Sequence, residues 1–203
     1  MENKDQDCLL KILLVGDYYV GKTRFLKTLT NEPFDDITTI GIDFGTKIFN
    51  IDNRTIKAII WDTCGMERYR RNAHSFYKFA NAFIVFFDVT RIETFRQLDS
   101  MITDIQENNT NAPIIIVGLK CDLNNRAVPT EEASEFAKKY NFKYYEISAL
   151  KTKQVNEIMI EYLTFYINNR ITYANDQLAP VDAIPIDQIE TEDIDEYSLE
   201  SFD

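Results

Sequence analysis

Cysteine is scarce in this 203-residue chain, where Cys8, Cys64 and Cys121 stand far apart. Their spacing matches neither a metal-ligand pair nor a disulfide framework, so a reduced, cytoplasmic chain is expected. No apolar run approaches the roughly 20 residues that span a bilayer. The opening Met1-Glu2-Asn3-Lys4 is polar, unlike a signal peptide, and lacks the glycine after Met1 that myristoylation requires. No cysteine stands near the end, Ser201-Phe202-Asp203. No direct lipid anchor is therefore expected there, and membrane association would come only through partners. His74 is the only histidine; with no other ligands around it in sequence, it reads as a surface side chain.

Basic residues stop at Arg170. From Asp176 to Asp203 there are ten acidic residues and no Lys or Arg, whereas residues 1–175 hold 23 acids against 22 bases. The net charge of −11 thus sits almost wholly in a tail. The nearly neutral body carries no electrostatic footprint for nucleic acid, and anionic lipid would repel the tail. Without a helical or strand period, that tail is expected to be disordered, with a short docking motif as the alternative.

Hydrophobic residues make up 45% of the chain, enough for a sizeable core. Leu9–Val15, Ala82–Asp88 and Pro113–Gly118 are short apolar runs that read as buried strands, and Tyr144–Ile147 as a short one. Phe44–Ile51 and Thr55–Trp61, split by Asp52-Asn53, read as a hairpin. Helical patterns cover Lys22 to about Thr30, Phe95 through Leu98 and Ile102 to Ile105, and Glu131–Tyr140. The last helix carries one apolar stripe from Val155 to Ile167. This alternation predicts an α/β fold, a six-stranded mostly parallel sheet with helices on both faces. The expected division is an extension at 1–8, a domain at 9–170 and the acidic tail at 171–203.

Gly16-Asp17-Tyr18-Tyr19-Val20-Gly21-Lys22-Thr23 fits G-x-x-x-x-G-K-[ST] between a strand and a helix. Backbone N–H groups of Tyr19, Val20 and Gly21 would wrap a phosphate, helped by the helix N-terminus. Lys22 would neutralise phosphate oxygens, and the Thr23 hydroxyl would ligate Mg²⁺. Three more segments follow strand ends: Trp61-Asp62-Thr63-Cys64-Gly65, Leu119-Lys120-Cys121-Asp122 and Ser148-Ala149. In an open parallel sheet those ends face one ligand crevice.

With these motifs in this order, the chain resembles a small GTPase of the Ras superfamily over residues 9 to about 170. The resemblance implies the P-loop GTPase fold, GTP/GDP as ligand and Mg²⁺ as cofactor. It gives Asp62 a water-mediated hold on Mg²⁺, and Thr39 a contact to Mg²⁺ and the γ-phosphate. It makes the Gly65 N–H a γ-phosphate sensor. Asp122 would accept from the guanine N1–H and exocyclic amine, a donor pair adenine lacks. Lys120 would lie along the base, the Ser148-Ala149 backbone would meet its O6, and Phe34 would supply an aromatic against it.

The Rab branch is the nearest pattern. Ile40-Gly41-Ile42-Asp43-Phe44, Trp61 to Tyr69 and Phe76-Tyr77-Lys78-Phe79-Ala80 resemble its signatures. Ile40, Phe44, Trp61 and Phe76 would then face effector proteins through the two switch segments. Vesicle trafficking is the implied setting, with an exchange factor and an activating protein as further partners.

Several positions depart from the family pattern. Met66 replaces the glutamine that orients the attacking water, and a thioether cannot do this; slow hydrolysis is expected. Tyr18 and Tyr19 stand where small residues are usual, and the second position is suited to positive φ. Leu119 replaces an asparagine, and Leu150 a lysine. A pseudo-GTPase, a scaffold that binds partners without nucleotide, is therefore the alternative reading. A P-loop ATPase or kinase is opposed by Asp122.

Overall fold

The structure is a computed structural model that describes residues 8–33, 42–65 and 76–174, the side chains of 169–174 excepted. Six strands form one sheet: β1 (Cys8–Gly16), β2 (Ile42–Ile51), β3 (Arg54–Thr63), β4 (Ala82–Asp88), β5 (Ile114–Leu119) and β6 (Lys143–Ile147). Their order is β2-β3-β1-β4-β5-β6. Only β2 runs antiparallel to its neighbour; the other four pairings are parallel. The β2–β3 hairpin closes through Asp52 and Asn53, whose φ values of 50° and 63° are both positive. A two-residue turn of that kind matches the natural twist of the strands, and Asp and Asn tolerate it better than most side chains.

The helices are α1 (Lys22–Thr30), α2 (Ile92–Arg96), α3 (Leu98–Asn108), α4 (Thr130–Lys139) and α5 (Thr152–Ala174). Alternation along each strand decides which face they cover. Leu10, Ile12 and Leu14 of β1 meet Phe25, Leu26 and Leu29 of α1 and Val155, Met159 and Tyr162 of α5. Leu13 and Val15 point the other way, into a core with Leu98, Ile102 and Ile105 of α3 and Ala133 and Ala137 of α4. The sheet is thus covered on both sides, as parallel pairing requires.

The apolar pattern from Phe95 to Ile105 predicts one helix, but the chain forms two. Gln97, at φ −80° and ψ −11°, stays in the right-handed region and is the single residue that separates α2 from α3. The apolar side chains on both sides of Gln97 are buried. Lys47 ties the hairpin to the helical layer. Its Nζ donates to Leu29 O at 2.6 Å and Asn156 Oδ1 at 2.7 Å. The first of these bonds places a cation at the C-terminus of α1, where the helix dipole favours it. The parallel strands β1, β3, β4, β5 and β6 all end at one edge, which gathers the sequence motifs there. The acidic stretch from 175 onward, and His74, lie outside the described residues.

Candidate functional site

The loop between β1 and α1 turns on two glycines. Gly16 has φ +156°, and a Cβ there would lie 2.7 Å from Phe86 O. Gly21 has φ 113° and opens α1. Tyr19 sits between them in the left-handed region, at φ 57°. A tyrosine adopts that conformation only where its surroundings impose it.

Those surroundings are cationic. Four consecutive loop carbonyls each accept a hydrogen bond from a positive side chain. Lys22 Nζ donates to Gly16 O and Asp17 O, both at 2.9 Å. Arg91 Nη2 donates to Tyr18 O at 2.7 Å, and Lys120 Nζ to Tyr19 O at 2.8 Å. Asp17 turns its Oδ1 back to accept from the Tyr18 N–H at 2.8 Å.

Arg91 and Lys120 share one buried acid. Asp88 Oδ2 lies 2.7 Å from Lys120 Nζ and 3.3 Å from Arg91 Nε. Its Oδ1 accepts from the Thr90 N–H and hydroxyl. Burial disfavours the Asp88 charge, but the bonds from Lys120 and Thr90 outweigh it and hold its pKa below the ordinary carboxylate value. Sequence reading missed Asp88 and Arg91. The available signal was a carboxylate ending the run Ala82–Asp88, where a buried acid needs paired partners.

The Thr23 hydroxyl donates to Asp62 Oδ2 at 2.5 Å. An alcohol and a buried carboxylate brought together at the mouth of the loop are the hard oxygen donors that suit Mg²⁺. Among the described residues no group of three acidic, His or Cys side chains forms a metal cage. A magnesium ion held partly by substrate phosphates needs none. Gly65 lies against the loop so closely that a Cβ would meet Asp17 C and Tyr18 N at 2.5 Å.

On the far side of the crevice, Asp122 is exposed and Lys120 has φ 66°. Leu119, where a polar brace is usual in the resemblance, is fully buried. Its Cδ1 lies 3.3 Å from where a Gly21 Cβ would be, so the loop is supported by apolar packing. Thr28 Oγ1 donates to Ala149 O at 2.7 Å and ties α1 to the segment after β6. The Ser148 N–H donates to Gln154 Oε1 at 3.0 Å, which commits that donor within the chain. Burial pushes the Cys121 thiol up, with Asp122 and Glu146 adding to the shift, so it stays protonated at neutral pH.

A profile of the Ras family matches residues 11–168. The chain belongs to the Ras family. It is 39% identical over 166 residues to the Ras-related protein RABA4d of Arabidopsis thaliana, covering 80% of this chain and 75% of that protein. It is 37% identical over 181 residues to the Ras-related protein Rab11A of Lotus japonicus, covering 86% and 80%. The Ras-related protein RABA1h of Arabidopsis thaliana matches at 38% over 164 residues, or 79% and 75%. This is a Rab-like small GTPase.

In this Rab-like chain the motif residues assembled at one edge are Tyr19, Val20, Gly21, Lys22, Thr23, Asp62, Gly65, Lys120, Asp122, Ser148 and Ala149. Phe34, Thr39, Ile40 and Met66 lie outside the described residues. Of the aromatic residues expected to face effectors, Phe44 is 53% exposed on β2. It pairs with Trp61 across the hairpin. Trp61 and Phe76 are half-buried and meet edge to face, with ring centroids 5.3 Å apart. No helix among the described residues is long and apolar enough to cross a membrane.

Proposed function

We propose that residues 9–170 of this Ras-family chain bind GTP and GDP with Mg²⁺ and act as a slowly hydrolysing switch in vesicle trafficking. The observation that carries this is the pairing of Thr23 and Asp62 beside a phosphate loop in which four consecutive carbonyls, Gly16 to Tyr19, are turned onto cations. In a planar trans peptide the N–H lies on the edge opposite the C=O, so carbonyls held in this way direct the N–H groups of Tyr19 and Val20 to the other side of the chain, where a phosphate would be met.

In this reading Tyr19, Val20 and Gly21 supply backbone donors, and Lys22 supplies a charge. Thr23 and Asp62 hold Mg²⁺, with Thr39 completing the set. When bound, that ion neutralises charge on the β- and γ-phosphates. Gly65 offers its N–H to the γ-phosphate. Asp122 reads the donor edge of guanine, with Lys120 along the base and Phe34 against it. Because Ser148 has committed its N–H to Gln154, the Ala149 N–H is the donor left for O6. Ile40, Phe44, Trp61 and Phe76 present the effector surface, and an exchange factor and an activating protein regulate the cycle. In this reading the chain is cytoplasmic and reaches membranes through partners.

Titrating nucleotide-stripped protein with fluorescent GDP, GTP analogue and ATP analogue, with and without Mg²⁺, tests the reading. Guanine-selective, Mg²⁺-dependent binding is expected. Absence of binding would favour a pseudo-GTPase scaffold, a reading supported by the exposed Tyr18 and Tyr19 rings at the loop. Met66→Gln restores a side chain that orients water, and single-turnover hydrolysis should then quicken at least several-fold. An unchanged rate would move the cause of slow hydrolysis to Tyr18 and Tyr19.

A further inference from the structure

We infer that Arg91 is a positioning residue for phosphate binding, which orients the Tyr18–Tyr19 peptide from outside the phosphate loop. This rests on guanine nucleotide being the ligand. In a trans peptide the C=O and the following N–H point in opposite directions. Anchoring Tyr18 O on Arg91 therefore turns the Tyr19 N–H toward the inside of the loop. Anchoring Tyr19 O on Lys120 does the same for Val20. Lys120 belongs to the base-recognition segment, whereas Arg91 belongs to none of the sequence motifs.

Arg91 is built for this task. Its guanidinium touches three parts of the structure at once. Nη2 holds Tyr18 O, Nε faces the buried Asp88, and Cζ lies 5.5 Å from the centroid of the Tyr18 ring. The last contact gives Tyr18 a role in this chain, since a small residue could not make it. The Arg91 backbone is itself fixed. Its N–H donates to Asp88 O at 3.0 Å, and its carbonyl accepts from the Thr94 N–H and hydroxyl. Asp17, bonded to the Tyr18 N–H on one side and to Gln97 at 3.4 Å on the other, steadies the other edge of the same residue. A positive φ at Tyr19 needs such bracing. Arg91 and the Tyr18 ring provide it where glycine provides freedom in other chains.

The test is dissociation of fluorescent GDP from the full chain, together with the ³¹P resonance of the bound β-phosphate. Arg91→Ala should speed dissociation about tenfold, the scale of one charge-assisted hydrogen bond, and should displace the resonance. Arg91→Lys keeps a cation but not the flat guanidinium. It should recover part of the loss, and it carries the same two readouts if Arg91→Ala does not fold. A change in dissociation below fivefold in Arg91→Ala overturns the inference. So does faster release with an unmoved β-phosphate resonance, which would mark a general loss of stability. Failure of the unsubstituted chain to bind GDP would instead remove the nucleotide reading on which this one stands.

Discussion

Gly16→Ala is expected to destabilise the protein by about 2–4 kcal/mol and to lower its unfolding temperature by roughly 5–15 °C. The added Cβ would lie 2.7 Å from Phe86 O and 3.2 Å from Phe86 Cβ and Val20 Cγ2. The first of these is backbone, which cannot rotate away. Gly16 pairs with Phe86 across β1 and β4, the two central strands of the sheet. Neither strand can retreat without dragging β3 or β5. Phe86 is fully buried, its ring 5.1 Å from that of Phe25 on α1, so the clash reaches the helix that follows the phosphate loop. Positive φ adds its own cost, of order 1 kcal/mol for a residue with a Cβ. Calorimetry of the purified variant decides the matter, and an unfolding temperature within about 2 °C of the parent would refute the packing argument.

Asp88→Asn is expected to cost about 2–3 kcal/mol and to weaken nucleotide binding together with stability. An amide oxygen can still accept from Thr90. The amide nitrogen would then face Lys120 and Arg91, donor against donors. Both cations are about one-third exposed and can turn toward water, which keeps the cost below that of a fully buried orphan charge. Turning away releases Tyr18 O and Tyr19 O together.

The pH dependence of this variant has a definite sign. The folded pKa of Asp88 is depressed, so its contribution is fully present above the unfolded carboxylate value of about 3.9. It is lost as pH falls through the lower folded value. The gap in stability between parent and Asp88→Asn should therefore be constant near neutrality and close below about pH 4. Urea unfolding at several pH values measures it. A gap unchanged down to pH 2 would show that Asp88 acts through shape and not charge.

Much of this architecture follows from local patterns in the chain. Ala82–Asp88 is a strand over the bounds that its apolar run predicts. Asp52-Asn53 forms the two-residue turn because both side chains tolerate positive φ. The glycine, lysine and threonine spacing from Gly16 to Thr23 forms the phosphate loop between a strand and a helix, as those residue types require. Each of these depends on neighbours within a few positions. Periodicity and turn chemistry encode that kind of relation directly.

Other features arise only when distant segments meet. The apolar period from Phe95 to Ile105 does not reveal the division into two helices at Gln97. Leu119, a departure from the expected polar brace, becomes a packing residue against Gly21 once β5 lies beside β4. Arg91 reaches a carbonyl 73 positions earlier, and Lys120 one that is 101 positions earlier. Nothing in the local sequence of either residue records those partners. By itself the sequence determined which residues face a core and where a glycine-punctuated loop joins a strand to a helix. Strand order decided which buried carboxylate meets which cations, because a charge taken out of water is tolerated only where the folded chain delivers its partners.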